Sequence, residues 1–347
     1  MLLVVNAFAA IPLFYTEVGP FNTTLIWVYY LALAAAIYLA SHRQKLARLK
    51  SAASKSISPV SRLPRKWVIL PLLVVAILVS VTAATMPDNK LHVSILNIGD
   101  GDAILISRGS QQTLVDGGPD PNKICLELGK AMPFWDRTIE LVVLTHPEAD
   151  HVTGLVEVLH RYRVKQVLES SLENDTGIYK EWQRLIEEKE IKQTVAEAGQ
   201  QIDLGHGIIM EVLHPQEELM EGTGSDLNNN SIVLRLVKGE VSFLLTGDIE
   251  WEAEFELIAR RANLGSTMLK VAHNGSATST TPEFLAVASP QLAVISVGED
   301  NPFGHPSHEV IDRLEEKLSP ENIYRTDKHG TIEFITDGKR LWVKTEL

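Results

Sequence analysis

His146, Glu148, Asp150 and His151 place four metal-capable side chains within the run Thr145-His146-Pro147-Glu148-Ala149-Asp150-His151. Imidazole and carboxylate donors together suit Zn, Mn or Fe. Donors this dense can serve two neighbouring ions, His146 and Glu148 one of them, Asp150 and His151 the other. A bland alternative is that His146 and Glu148 are turn residues and Asp150 caps a following helix. Two downstream segments weigh against it. Val241-Ser242-Phe243-Leu244-Leu245-Thr246-Gly247-Asp248 ends in a turn that Gly247 permits, aiming Asp248 as the candidate bridge between two ions. Alone, Asp248 would serve equally well as an N-cap for a helix over 250–260. Thr267 to Ser276 repeats the pattern and delivers His273 to a Gly-containing loop. Three strand-end deliveries of His or Asp in one domain are hard to attribute to chance.

The elements that must hold these side chains are legible as apolar runs. Ile139 to Leu144 reads as a buried strand, and Val152 to Arg161 continues with helical spacing of Leu155, Val158 and Leu159. The motif is therefore expected on a strand-to-helix loop, where side chains of different direction can converge. Further strands are expected near 92–96, 103–107, 113–116, 141–145, 232–236, 242–246, 268–271 and 292–296, and helices over 123–132, 152–161, 178–190, 250–260 and 308–318. The 261 residues from Pro87 onward suffice for one substantial core. This alternation predicts a single α/β domain, a four-layer αββα sandwich with helices covering two packed sheets. No repeat or low-complexity tract interrupts it. Cys125 is the only cysteine and falls on an apolar helix face, so no internal disulfide can form.

Four more positions could border a site. His214 stands in a Leu-His-Pro turn and Asn228-Asn229-Asn230 lies shortly after it; either could complete the shell around the first ion, the Asn cluster being the better site edge. His305, in Phe303-Gly304-His305-Pro306-Ser307, precedes a helix with Val310, Ile311, Leu314 and Leu318 on one face, and could contact a phosphate or protonate a leaving oxygen. A loop His beside Pro is also commonly structural. Lys270 alternates with buried neighbours on its strand and either reaches the site or points to solvent, the second being favoured.

Before Met86 the chain changes character. Residues 21–40 and 67–86 each lack charge over a length that lets an α-helix cross a bilayer. The loop 41–66 between them carries Arg43, Lys45, Arg48, Lys50, Lys55, Arg62, Arg65 and Lys66 and no acid, which predicts a cytoplasmic loop and puts the following domain on the outer face of the membrane. Met1 to Tyr15 is apolar but short and is interrupted by Pro12, a possible third span. From Pro87 onward 24 Lys and Arg stand against 43 Asp and Glu, a net charge of −19. Such a domain repels a phosphate backbone at long range; two divalent ions would offset the acids locally, and the balance leaves room for a smaller phosphodiester as substrate.

From Met86 onward the chain resembles the metallo-β-lactamase superfamily, specifically the C-terminal domain of ComEC-type DNA-uptake proteins. The marks are Asn97-Ile98-Gly99-Asp100-Gly101-Asp102-Ala103, Leu114-Val115-Asp116-Gly117-Gly118, the His146 to His151 run, Asn228-Asn229-Asn230-Ser231, Thr246-Gly247-Asp248, Leu269 to Ser276, and Asn301-Pro302-Phe303-Gly304-His305-Pro306. The superfamily usually has His where Glu148 stands, and a second His where Asn274 follows His273. The carboxylate hardens that metal position and shifts the expectation from Zn toward Mn, although Zn binds more tightly when both are available. The resemblance implies hydrolysis of a phosphodiester, DNA entering the cell as a single strand, with two divalent ions, Mn or Zn. His146 and Glu148 would hold one, Asp150, His151 and His273 the other, and Asp248 would bridge them. Asp116 would orient a ligand from behind, and Asp150 and His305 would act on the reacting groups. Asn229, Asn230, Lys270 and Ser276 would meet the substrate. ComEC-type proteins carry many more helices, so transport would need a separate channel-forming competence protein. Two rival readings are an outer-face hydrolase of another ester or phosphodiester, and a catalytically silent module that docks DNA or a partner.

Overall fold

The computed structural model describes residues 69, 71–76, 88–133, 135–299 and 301–347. The spans expected over 21–40 and 67–86 and the loop 41–66 lie outside the described residues, save 69 and 71–76, which are helical. Among the described residues no helix is long and apolar enough to cross a membrane. The chain divides between Thr85 and Met86, and all that follows concerns the second unit.

Among the described residues this unit has seventeen strands and eight α-helices. The strands are β1 (Leu91–Ile95), β2 (Ile104–Arg108), β3 (Gln111–Val115), β4 (Thr138–Ile139), β5 (Leu141–Leu144), β6 (Arg163–Val164), β7 (Gln166–Glu169), β8 (Lys192–Val195), β9 (Gln201–Asp203), β10 (Ile208–His214), β11 (Val233–Lys238), β12 (Val241–Leu245), β13 (Met268–Lys270), β14 (Leu292–Ile295), β15 (Ile323–Arg325), β16 (Ile332–Thr336) and β17 (Leu341–Thr345). The helices are α1 (Pro121–Ala131), α2 (Ala149–Arg161), α3 (Gly177–Glu188), α4 (Asp226–Asn229), α5 (Trp251–Ala259), α6 (Pro282–Ala288), α7 (His308–Glu315) and α8 (Thr326–His329).

Two mixed sheets carry the fold, in the orders β17-β16-β1-β2-β3-β5-β7-β8 and β15-β14-β13-β12-β11-β10-β9. Each is antiparallel over one stretch and parallel over the other: β3-β5-β7-β8 in the first sheet, β12-β13-β14-β15 in the second. Strand alternation decides the layers. In β5, Val143 joins the core between the sheets with Met210, Leu234 and Phe243. Its neighbour Val142 faces the other way, onto Ile124 of α1, Leu155 and Leu159 of α2 and Trp182 of α3. The second sheet repeats this with Leu244 and Leu269 against Leu257 of α5, Phe284 of α6 and Leu314 of α7. Both faces being buried, these strands read as continuous apolar runs.

All eight expected strands and all five expected helices exist, with ends shifted by a few residues. One shift matters: α2 starts at Ala149, so Asp150 and His151 project from its first turn instead of a loop. Glu148 occupies the N-cap without capping through its side chain, so Asp150 is not the cap. The strands that the sequence did not reveal are mostly short, such as β8, or belong to the hairpin β16-β17 that pairs with β1 from the far end of the chain; the exception is β10, seven residues of alternating burial.

Candidate metal centre

The site lies where the parallel strands of both sheets end, the position at which open α/β sheets collect ligands. β5 runs out at Leu144 into His146 and Glu148, β12 into Asp248, and β13 into His273. α2 is locked in place by backbone contacts: Gly117 N–H donates to His151 O at 2.9 Å and Gly154 N–H to Gly118 O at 2.8 Å. Only glycine allows that approach, since a Cβ on Gly154 would stand 1.9 Å from Gly117 O. His273 is delivered by a tight turn in which it and Asn274 both hold left-handed backbone, φ 49° and 54°. Asp116 does the same at φ 56°. Non-glycine residues in this region carry of order 1–3 kcal/mol of strain each, which a well-packed frame must offset.

His146, His151 and Asp248 are all buried, and their ligand atoms lie within 4.8 Å of one another. His151 Nε2 is 3.3 Å from Asp248 Oδ2, 3.9 Å from Asp150 Oδ2, and His273 Nε2 is 4.0 Å from Asp248 Oδ2. His146 Nε2 stands 3.8 Å from Glu148 Oε2. A tetrahedral ion with bonds of about 2.0–2.1 Å spaces its donors roughly 3.3 Å apart, so these gaps are those of a ligand shell. Three of the buried atoms, His146 Nε2, His151 Nε2 and Asp248 Oδ1, make no hydrogen bond. Buried polar atoms are seldom left so, and a divalent cation satisfies all three at once.

Asp116 behaves as expected of a residue behind a ligand. Its Oδ2 accepts from His151 Nδ1 at 2.9 Å and Thr145 Oγ1 at 2.7 Å, and its Oδ1 from Thr145 N–H at 2.8 Å. That fixes Nδ1–H on His151 and leaves Nε2 free to ligate. Charge reinforces the geometry. Burial disfavours the charged form of His151, yet Asp248, Asp116 and Asp150 hold its imidazolium well above the ordinary histidine range. Burial would likewise push the Asp248 carboxyl up, but His151, with His146 and His273, keeps it far below the usual carboxylate range. The neighbouring His146 ring holds the Glu148 carboxyl below its usual range. A proton on His151 and a cation on the same atoms therefore compete for one carboxylate-rich point.

Several expectations need correction. His214 does not join the shell: its ring turns to Asn229 O at 2.8 Å and lies 3.5 Å from Glu256. Asn229 and Asn230 are fully buried. Asn229 Oδ1 accepts from Glu250 and Ala253 N–H at the start of α5, and Asn230 ties to Met220 and Asp226, so these side chains brace the wall of the site. Lys270 neither reaches substrate nor points to solvent: it is fully buried, its ammonium 2.8 Å from Asp102 and donating to Val271 O. Burial raises the Asp102 carboxyl while Lys270 opposes the rise. Ser276 closes its own turn with Thr278. Asn274, in place of a second histidine, is a strut whose amide donates to Gly101 O at 3.3 Å. His305 stands at the rim, its ring 5.6 Å from that of His273.

Three residues escaped sequence reasoning. Glu250 lies 3.4 Å from His273 Nδ1, on the side of the ring away from Asp248, at ion-pair distance rather than in the 2.9 Å hydrogen bond that Asp116 makes to His151. Its signal was present two residues after Asp248. Asp102 pairs with Lys270, within a Gly-Asp-Gly-Asp run equally good as a hairpin turn. Asn174 donates to Pro147 O at 2.9 Å and braces the ligand loop, with no local signal at all.

A folded pair of mixed sheets with a His/His/Asp cluster at the strand ends defines a metal-binding α/β protein. The profile of the metallo-beta-lactamase superfamily matches residues 96–299, and the chain belongs to that superfamily. It is similar to ComE operon protein 3 of Bacillus subtilis (strain 168), 28% identical over 264 residues, 70% of this chain and 33% of that protein. It is also similar to Competence protein ComA of Neisseria gonorrhoeae, 28% identical over 271 residues, 78% of this chain and 35% of that protein. The chain thus spans about a third of the length of these relatives. Among solved structures it is similar to the metallo-beta-lactamase fold protein YhfI from Bacillus subtilis, with TM-score 0.48 and 11% identity over 74% of this chain and all (100%) of that one.

Proposed function

We propose that this chain is a metal-dependent phosphodiesterase that cuts DNA, single-stranded by preference, during its uptake. In this reading residues 21–40 and 67–86 anchor the chain in the membrane, the hydrolase domain faces outward, and a separate channel-forming protein carries the strand inward. The observation that supports it most is the convergence of His146, His151 and Asp248 ligand atoms within 4.8 Å of one another, with buried, unpartnered atoms on all three residues. Similarity to a competence protein and the basic, acid-free stretch 41–66 support the setting.

His146 and Glu148 would hold one divalent ion, Asp150, His151 and His273 a second, and Asp248 both. Ions at these positions, Mn or Zn, supply a water of lowered pKa and neutralise charge on the phosphoryl oxygens. Asp116 and Glu250 keep the imidazoles of His151 and His273 in register. Asp150, its carboxylate open to solvent, accepts the proton of the attacking water. His305 at the rim donates to the leaving oxygen.

The test uses the purified full-length chain in detergent, stripped with chelator and reloaded with Mn or Zn. Single-stranded oligonucleotide, duplex and a small diester are then compared. Metal-dependent cleavage of the single strand, abolished by Asp248→Ala without loss of the thermal transition, is expected. Cleavage confined to the small diester would move the substrate to a smaller phosphodiester. Retention of fewer than one ion with no cleavage at all would make the domain a silent docking module.

A further inference from the structure

Phe303 is 75% exposed, among the most exposed large apolar side chains of the described residues. Its backbone is held firmly. Asn301 Oδ1 accepts from Phe303 N–H at 2.9 Å and from His305 N–H at 3.1 Å, while Asn301 Nδ2 donates to Asp100 Oδ1 at 2.6 Å. A singly exposed phenyl ring is ordinary on a protein surface, so what sets Phe303 apart is its place beside the metal-centre histidines on a turn that Asn301 pins.

Its position says which. The Phe303 ring lies 5.9 Å from that of His305 at an interplanar angle of 31°, and His305 lies 5.6 Å from His273. The rings thus lead stepwise from the ligand shell out to solvent. A second exposed aromatic, Trp251, is 48% exposed and follows Glu250, the carboxylate that faces His273. It meets Phe255 edge-on with ring centres 6.1 Å apart. Phe303 thus reaches His273 through the His305 ring, while Trp251 neighbours in sequence the carboxylate that faces that histidine.

Charge selects the occupant. With 24 basic against 43 acidic residues from Pro87 onward, the domain's net charge repels a polyanion at long range. Base faces carry no charge, and aromatic side chains bind them by stacking with little regard to sequence. Only unpaired bases present such faces.

We infer that Phe303, with Trp251 as a second contact, is a base-stacking platform that seats a single-stranded nucleic acid with one phosphodiester over the metal centre. This rests on the phosphodiesterase reading and specifies how its substrate is gripped. Stacking replaces the backbone electrostatics that this acidic domain lacks. Duplex, whose bases are already stacked, is excluded from the platform.

The full-length chain and its Phe303→Ala and Phe303→Trp variants are compared, loaded with Mn, on a single-stranded oligonucleotide and on the same backbone made abasic around the cleaved linkage. Binding is followed separately through the fluorescence of 2-aminopurine in the strand. Phe303→Ala should lose about tenfold in kcat/KM on the single strand, carried by KM, and weaken 2-aminopurine quenching. Phe303→Trp should restore both, and the advantage of the wild type should vanish on the abasic strand. Equal KM and quenching for the wild type and Phe303→Ala would overturn the platform and leave the phosphodiesterase reading standing. Quenching that depends on Phe303 in a protein that cuts nothing would sink the phosphodiesterase and keep the platform. Absence of both would sink both.

Discussion

Asp116→Asn replaces one carboxylate oxygen by an amide with almost no change in shape, and the geometry around it dictates the outcome. Thr145 N–H donates to Oδ1 at 2.8 Å, so the amide oxygen of the variant stays there. The new NH₂ then takes the place of Oδ2, facing Thr145 Oγ1 and His151 Nδ1. The hydroxyl can turn and accept, but the imidazole cannot present Nδ1–H to a donor. It must shift its proton to Nε2, the atom 3.3 Å from Asp248 Oδ2 that would otherwise ligate. Losing an outer partner of a metal-bound histidine typically costs 10–100-fold in metal affinity, about 1.4–2.7 kcal/mol. The fold itself should survive, because the change is isosteric and Thr145 N–H keeps its acceptor. Chelator competition with Mn or Zn on the wild type and variant measures the effect, with thermal unfolding of the metal-free forms as the control for folding. Affinities within twofold of each other, with the variant folded, would refute the claim that Asp116 sets the tautomer of His151.

Gly154→Ala places a methyl 1.9 Å from Gly117 O, backbone against backbone, so α2 must lift from the Asp116 loop. Chemical denaturation should show a loss of about 1–3 kcal/mol, with weaker metal binding because His151 moves with the helix. Lys270→Met strands the buried Asp102 carboxylate and should cost about 3–5 kcal/mol. The double change Lys270→Met with Asp102→Leu should recover most of that, and failure of the double variant to recover would show that the pair is not an isolated one. Far from the site, Glu333 and Asp88 hold the His92 imidazolium above its ordinary value, Glu333 the larger cause, while burial opposes. Because the folded pKa is raised, this stabilisation is fully present below about 6.5, the unfolded value, and fades as pH climbs through the folded one. Glu333 is lowered in turn, so its share fades only as pH falls through its own depressed value. Melting temperatures between pH 5 and 9 should thus decline less steeply in His92→Gln than in the wild type, and equal slopes would remove His92 from the pH response.

The chemistry-bearing runs were legible because the signals are local. A strand of Leu, Val and Ile ending in Thr145-His146, or in Gly247-Asp248, gives both the buried element and the side chain at its exit within a few residues, and α2 announces itself by the spacing of Leu155, Val158 and Leu159. What these side chains face is another matter, since partners come from distant segments. His214 ends a strand much as His146 follows one, yet its ring is claimed by Asn229 O, fifteen residues on, and by Glu256 across the wall. Lys270 reads as an exposed cation on an alternating strand until Asp102, far earlier in the chain, closes over it. Glu250 and Asn174 gain their roles only when His273 and Pro147 are brought to them. Composition and local periodicity determined the α/β class of fold and the acidity of the domain, and marked the candidate ligands. Only the tertiary structure separated ligands from wall residues, because that distinction is made by direction and burial at the meeting of two sheets, and neither is encoded in any single stretch of sequence.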